Sequence, residues 1–212
     1  MGKPSPVRQR KSKQPAEEVF LNLPYDSKFQ SLYLAYIVGT NAFGLAPRAT
    51  LELPTGARLD RILALIQSCR YSIHDLSRVQ LDRKVPATPR FNMPFELGLA
   101  VAYERSGHEH QWMVFEQVNR RIMKSLSDLN GNDVYIHAGK VAGVFSELCN
   151  AFVRSRHQPT VPQMWKVYRE LRQALPNILR ESGARTLFEA RAFRDLCASA
   201  STLADLYILG EA

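Results

Sequence analysis

The chain has 212 residues, 45% of them hydrophobic and 23% charged, which is typical of a globular domain with a sizeable core. This length suits one such domain, with room for an appendage. No apolar run is long enough to span a bilayer. Its three cysteines are odd in number and far apart, which argues against a disulfide framework and against a zinc site. This cysteine usage, and the lack of an apolar segment behind the first basic residues, favour a cytoplasmic protein without a secretory signal.

The formal net charge is +8, and much of the basic excess lies near the first residue. Residues 1–17 are rich in Lys, Arg, Pro, Ser and Gln and contain almost no large apolar side chains, so we predict a disordered basic tail. We interpret it as a solvated element that aids solubility. Loose contact with nucleic acid is the less favoured alternative.

Short apolar runs alternate with helical apolar spacings along residues 18–156. Strands are predicted at 19–23, 47–53, 72–77, 111–116 and 134–137, and helices at 29–43, 59–66, 94–106 and 141–152. A polar loop is predicted at 78–92 and a long irregular connection at 117–132. This alternation predicts an α/β three-layer sandwich with a mostly parallel five-stranded sheet in the flavodoxin-like strand order.

Residues 157–212 show helical spacings and no strand pattern. Trp165, Tyr168 and Leu171 mark one helix, which Pro176 is expected to end or kink. A capping box at Thr186–Glu189 opens another helix. We therefore predict a helical extension that either packs on the sheet domain or pairs with another copy of the chain.

The segment PRFNMPFELGLA at residues 89–100 is the most informative part of the sequence. Pro94 suits the first turn of a helix, and Glu96 then falls in that turn, where the helix dipole and free N–H groups are expected to keep its carboxylate ionised. Phe95, Leu99, Ala102 and Tyr103 recur at helical spacing, so one face of this helix is apolar. The alternative is a buried helix that begins with a favourable acid and carries no chemistry.

The carboxyl end of each predicted strand carries candidate site residues, at the sheet edge where open parallel sheets bind ligands. They are Pro24, Tyr25, Asp26, Glu52, Asp75, Ser77, Glu116 and His137, with Glu96 on the same edge. We expect Asp75 and Glu96 to share one cleft, as a carboxylate pair of the kind that glycosidic bond cleavage uses.

Each of these residues also has an ordinary structural interpretation. Asp75 could cap a turn, and Glu52 and Glu116 could be solvated strand ends. His74 and His137 are more often structural than catalytic, and Arg90 could meet a phosphate or be exposed. The sequence contains no glycine-rich phosphate loop, which argues against a Rossmann dehydrogenase and a P-loop nucleotide triphosphatase.

Asp75-Leu76-Ser77, followed by a loop and then by RFNMPFELG at residues 90–98, resembles the core signature of bacterial TIR-like proteins and nucleoside 2-deoxyribosyltransferases. The resemblance implies that Glu96 is the catalytic carboxylate in cleavage of an N-glycosidic bond, and that Asp75 binds the sugar or assists the leaving base. LNLPYD at residues 21–26 resembles the first strand and loop of this group, which line the base pocket. The implied substrate-binding residues are Asn22, Pro24, Tyr25, Asp26, Ser77, Arg90 and Asn92.

By this resemblance, the expected function is N-glycosidic cleavage in NAD or a related nucleotide or nucleoside, in bacterial defence or signalling. A second hypothesis is a non-catalytic nucleotide-sensing module whose helical extension mediates assembly or partner binding. A third is a scaffold that assembles through residues 160–209. We expect a nucleotide or nucleoside as substrate or ligand, no other cofactor, no metal and no membrane contact, with homo-oligomers formed through the C-terminal helices.

Overall fold

The computed structural model describes residues 16–53, 57–79, 85, 88–153 and 158–211. The predicted basic tail lies outside the described residues, except for Ala16 and Glu17. Within the described part of the chain, no helix is both long enough and apolar enough to cross a membrane.

Five strands form one all-parallel sheet in the order β2-β1-β3-β4-β5. They are β1 (Glu18–Asn22), β2 (Ala46–Arg48), β3 (Tyr71–Asp75), β4 (Gln111–Glu116) and β5 (Val134–Ile136). The predicted parallel sheet and strand order are confirmed, and the layout is consistent with a flavodoxin-like one. The second strand is shorter than predicted, because the Glu52 carboxylate accepts the Ala49 N–H at 2.9 Å and closes a 3₁₀ turn at Thr50–Glu52.

Seven α-helices are present in the described residues. They are α1 (Gln30–Ala42), α2 (Arg58–Ser68), α3 (Asn92–Arg105), α4 (Ile122–Ser125), α5 (Val141–Ala151), α6 (Val161–Ser182) and α7 (Ala190–Tyr207). The connection at 117–132, predicted to be irregular, holds the short helix α4 and a 3₁₀ turn. Pro176 was predicted to end or kink its helix; the ending is wrong, since α6 continues through Pro176 to Ser182, and the kink stays a prediction.

Helices cover both faces of the sheet, and the alternation of strand side chains decides which residues face which helices. Val19 and Leu21 of β1 belong to a core cluster with α1 and α5, whereas Phe20 packs with α2 residues. In β3, Ile73 joins the α1 cluster. Asn22, the last residue of β1, alternates to the side of α2 and α3, and its amide donates to the Met93 carbonyl of α3 at 3.0 Å.

The helical extension packs on the sheet domain, which is one of the two arrangements expected from the sequence. Helix α1 is buried almost all round, because α5, α6 and α7 all pack against it. Leu171 of α6 and Leu196 of α7 are fully buried in the same core cluster as Tyr33 of α1. Assembly of copies through these helices stays a prediction, and their buried faces are used within the chain.

Gly143 allows α5 to sit directly on the end of β5. A Cβ at this position would lie 2.1 Å from the His137 carbonyl oxygen, a backbone atom that cannot rotate away. We expect Gly143→Ala to lower the free energy of unfolding by about 2 kcal/mol or more, through overpacking. Urea denaturation measures this. Gly98→Ala is the matched control: its Cβ meets nothing within 4 Å, so helix propensity should make it neutral or stabilising by up to about 1 kcal/mol. Equal losses in both variants would contradict the prediction.

Candidate functional site

A cavity of about 450 Å³ opens at the carboxyl end of β1, between the first turns of α2 and α3. It lies at the sheet edge where the sequence predicts a site. Its lining residues are Asn22, Leu23, Pro24, Tyr25, Thr50, Arg58, Thr88, Pro89, Arg90, Phe91, Asn92, Met93 and Glu96. The structure thus brings together six of the predicted site residues: Glu96, Asn22, Pro24, Tyr25, Arg90 and Asn92.

Glu96 is a buried carboxylate in this cavity, with 7% of its surface exposed. No hydrogen bond to its carboxylate is found among the described residues. Burial raises its pKa from 4.5 to about 7, although the nearby charge of Arg58 acts in the opposite direction. The carboxyl group is therefore divided between its two protonation states near neutral pH.

The expectation that the helix dipole keeps Glu96 ionised is wrong. Helix α3 begins at Asn92, two residues before Pro94, so Glu96 lies in the second turn. The free N–H groups of the first turn are behind it, and the Phe95 N–H already donates to the Phe91 carbonyl at 2.9 Å. Burial is the largest effect on the pKa of Glu96 at this position, and it raises that pKa.

The apolar face identified from the sequence is not the face that α3 buries. Phe95 is 55% exposed and Ala102 is exposed, while Leu99 and Tyr103 are only half-buried. The buried residues of α3 are instead Met93, Glu96, Leu97 and Ala100. Apolar side chains occur nearly all round this helix, so more than one face fits a helical spacing, and the sheet selects the one that contains Glu96.

Asp75 does not line the cavity, so the expectation that it shares one cleft with Glu96 is wrong. Its side chain is fully buried and accepts hydrogen bonds from the Tyr36 hydroxyl at 2.7 Å and the Ser77 N–H at 2.9 Å. The His137 ring lies at 3.1 Å. Because Tyr36 belongs to α1, Asp75 points to the α1 face of the sheet, opposite to α3. A chemical role for Asp75 stays a prediction.

Ser77 and His137 belong to the Asp75 network and not to the cavity. The Gly139 N–H donates to His137 Nδ1 at 3.0 Å, which leaves the ring proton on Nε2. That nitrogen lies 3.1 Å from the Asp75 carboxylate and 3.0 Å from the Ser77 hydroxyl. Both partners meet the same nitrogen, whereas a nucleophilic triad places its acid and its nucleophile on opposite nitrogens. The geometry of this network is therefore not that of a nucleophilic triad and fits a structural role.

The other acids of this edge each have a cationic partner. Asp26 lies outside the cavity lining and pairs with Arg78 at 3.1 Å and with Arg90 at 3.6 Å. Glu52 pairs with Arg48 at 3.1 Å. The interpretation of Glu116 as a solvated strand end is wrong, because its side chain is 2% exposed and is bound by Arg121. Glu96 differs from all of them in having no such hydrogen-bonded partner among the described residues.

Sequence reasoning missed three polar lining residues, Thr50, Arg58 and Thr88. Arg58 is the first residue of α2, and its charge acts on both Glu96 and Tyr25. The Thr50 hydroxyl lies 3.2 Å from the Tyr25 hydroxyl. Burial raises the pKa of Tyr25 well above its usual range, so this phenol stays protonated. The position of Arg58, at the start of the helix after β2, is the signal that could have identified it.

Behind the cavity, a chain of buried hydrogen bonds runs from Asn22 through the core. Asn22 Nδ2 lies 2.9 Å from His74 Nδ1, His74 Nε2 lies 2.9 Å from the Ser72 hydroxyl, and that hydroxyl lies 2.8 Å from His110 Nε2. His110 Nδ1 in turn lies 2.9 Å from the Cys69 carbonyl oxygen. Burial lowers the pKa of His74 to about 3 and also lowers that of His110, so both rings are neutral. The structural interpretation of His74 fits this arrangement.

Comparison with known proteins gives no family for this chain. Scans against protein-family models, curated proteins and solved structures each found no match.

Proposed function

We propose that this chain cleaves the N-glycosidic bond of a nucleotide whose base carries a positive charge, as the nicotinamide of NAD does. The observation that supports this most strongly is Glu96, a buried carboxylate without a hydrogen-bonded partner among the described residues, which lines a cavity of about 450 Å³. Such a group is costly to bury unless a ligand compensates it. A positively charged base, and the oxocarbenium ion that forms when its bond breaks, are the compensating charges that we expect.

The number of carboxylates in the cavity favours a charged base over a neutral one. Glu96 is the single carboxylate among the described lining residues. A neutral nucleoside base needs a proton as it leaves, which requires a second acid beside the nucleophile or stabilising carboxylate. Nicotinamide, bonded through a cationic ring nitrogen, takes the electron pair of the broken bond and leaves neutral. Water then adds to the ribose C1′, and Glu96 takes the proton that water releases.

The remaining lining residues suit a nucleotide. Arg58 and Arg90 provide two guanidinium groups, which are well matched to phosphate oxygens. Phe91 is 64% exposed beside the cavity, and Tyr25 lines it, so two aromatic rings are available to a base or a sugar. The cavity is large enough for a small molecule.

One observation favours a second candidate, a nucleotide-binding module without turnover. The carboxylate pair expected from the sequence is absent from the cavity, because Asp75 lies on the opposite face of the sheet. In this candidate, Glu96 and the two arginines bind the nucleotide and no bond is broken.

Incubation of the full chain with NAD and with a panel of neutral nucleosides separates these candidates. We expect nicotinamide release by the wild type, little or no release of neutral bases, and a loss on the order of a thousandfold in Glu96→Gln. Dilute and concentrated protein are both assayed, so that a need for assembly is detected. Binding of NAD that is recovered intact supports the second candidate, and equal release by wild type and Glu96→Gln removes Glu96 from the mechanism.

Arg58→Gln is expected to move the midpoint of the pH profile of turnover to higher pH. The Arg58 charge lowers the pKa of Glu96, so its removal raises that pKa and moves the ionised carboxylate to higher pH. Loss of a phosphate contact should also raise KM for NAD about tenfold. The measurement is kcat/KM from pH 5.5 to 9, and Arg172→Gln, an exposed site on α6, is the control. An unchanged profile together with an unchanged KM would contradict the prediction.

A further inference from the structure

Asn22 lines the cavity, and both N–H groups of its amide are already used. One of them donates to the Met93 carbonyl oxygen at 3.0 Å and the other meets His74 Nδ1 at 2.9 Å. Because a carbonyl oxygen only accepts, the atom facing Met93 has to be the nitrogen. Rotating the amide by 180° would place the Asn22 oxygen against the Met93 carbonyl oxygen.

The donor and acceptor roles along the buried hydrogen-bond chain, traced from the Cys69 end, give the same orientation of the Asn22 amide. The Cys69 carbonyl accepts from His110 Nδ1, so Nε2 of this neutral ring is an acceptor and Ser72 donates to it. The Ser72 oxygen then accepts from His74 Nε2, which makes His74 Nδ1 an acceptor for the Asn22 amide. Every group from Asn22 to Cys69 therefore has one consistent donor or acceptor role.

This arrangement uses both hydrogens of the Asn22 amide and leaves its oxygen, Oδ1, to be placed. Among the described residues, no hydrogen bond uses it, and it is not a fully buried atom without a partner. It is an acceptor on the cavity wall whose orientation is fixed from behind. Met93, which receives the Asn22 amide proton, lies on α3 three residues before Glu96, and all three residues line the same cavity.

We propose that Asn22 Oδ1 is the specificity determinant of the site, and that it accepts a hydrogen bond from an N–H donor on the base next to the scissile bond. This rests on the proposed function. For a nicotinamide nucleotide the donor is the carboxamide NH₂ group. The corresponding nicotinic acid nucleotide presents a carboxylate there, which has no hydrogen to donate and repels the amide oxygen.

The test compares NAD with nicotinic acid adenine dinucleotide, by kcat/KM for base release and by calorimetric binding to Glu96→Gln, in which the ligands stay intact. We expect the wild type to prefer NAD by roughly ten- to a hundredfold. Asn22→Leu, which removes the acceptor at similar volume, should bring this ratio close to one. Ser72→Ala, which breaks the chain outside the cavity, should lower the ratio, because His74 then no longer has a fixed tautomer.

Tyr36→Phe is the control for lost stability, because it removes a buried hydrogen bond on the opposite face of the sheet. It should keep the wild-type ratio. A wild type that does not discriminate, or an Asn22→Leu variant with the wild-type ratio, overturns the proposal. If Asn22→Leu brings the ratio close to one but Ser72→Ala keeps the wild-type ratio, the claim that the buried chain fixes the orientation of Asn22 is overturned. Preferential binding of intact NAD without cleavage refutes the proposed function and supports this inference, whereas equal cleavage of both dinucleotides does the reverse.

Discussion

Glu96→Gln is expected to fold more stably than the wild type above pH 7, and to be inactive. The pKa of Glu96 is about 7 in the folded chain and 4.5 is its ordinary value, so the folded state holds more protons between these two pH values. Stability therefore falls as pH rises through this window, and it stays lower above it. A difference of this size between the folded and the ordinary pKa corresponds to about 3 kcal/mol. We expect the neutral amide to raise the free energy of unfolding by about 1–3 kcal/mol.

Urea denaturation at pH 4.5, 6, 7 and 8 checks this prediction. The two proteins should be closest in stability at pH 4.5, where the wild-type carboxyl group is protonated in the folded state, and should diverge up to about pH 8. The control is Glu109→Gln, because that side chain is 90% exposed and its ion pair with Arg70 should contribute little. If Glu96→Gln were less stable than the wild type at pH 8, Glu96 would hold the fold together instead of being costly to it.

The same carboxyl group predicts the pH dependence of activity. If the ionised form takes the proton from water, kcat/KM of the wild type should rise between pH 6 and pH 8, with its midpoint near 7. A stable Glu96→Gln variant that has lost turnover would show that the site is retained for its chemistry and not for the stability of the fold.

The sheet was predictable from the sequence because its strands are short apolar runs at regular spacing. β4 was predicted with the bounds that the structure shows, and the strand order follows from right-handed crossovers between alternating strands and helices. β2 was less predictable, since its end is set by one hydrogen bond from Ala49 to Glu52 that no periodicity reveals.

The error about Asp75 had a signal in the sequence. Side chains alternate between the two faces of a strand, and Ile73 and Asp75 therefore share a face, while Ser72 and His74 share the other. The prediction grouped residues by sheet edge and did not use this alternation. Residues at one edge of a sheet can lie on either of its two faces, but a helix such as α3 covers only one face.

The state of Glu96 could not be predicted from the sequence. It depends on where α3 begins, and the hydrogen bond from Phe95 to Phe91 moves the first turn ahead of Pro94. It depends also on which face the sheet buries, and several faces of α3 are apolar. A sequence pattern identifies the acid, whereas its protonation depends on how α3 packs against the sheet and against α2, which carries Arg58.

Asp75→Asn is expected to destabilise the fold by about 2–4 kcal/mol and to leave kcat/KM of the folded protein close to that of the wild type. The carboxylate accepts from the Tyr36 hydroxyl, the Ser77 N–H and the His137 ring. An amide in this place turns one acceptor into a donor that faces other donors. Tyr36→Phe, which removes only one of these bonds, should cost about 1 kcal/mol. Urea denaturation and the nicotinamide release assay are measured on both variants. If Asp75→Asn were as stable as the wild type and yet inactive, Asp75 would belong to the chemistry, as predicted from the sequence. The separation of the two faces of the sheet would then not describe the working site.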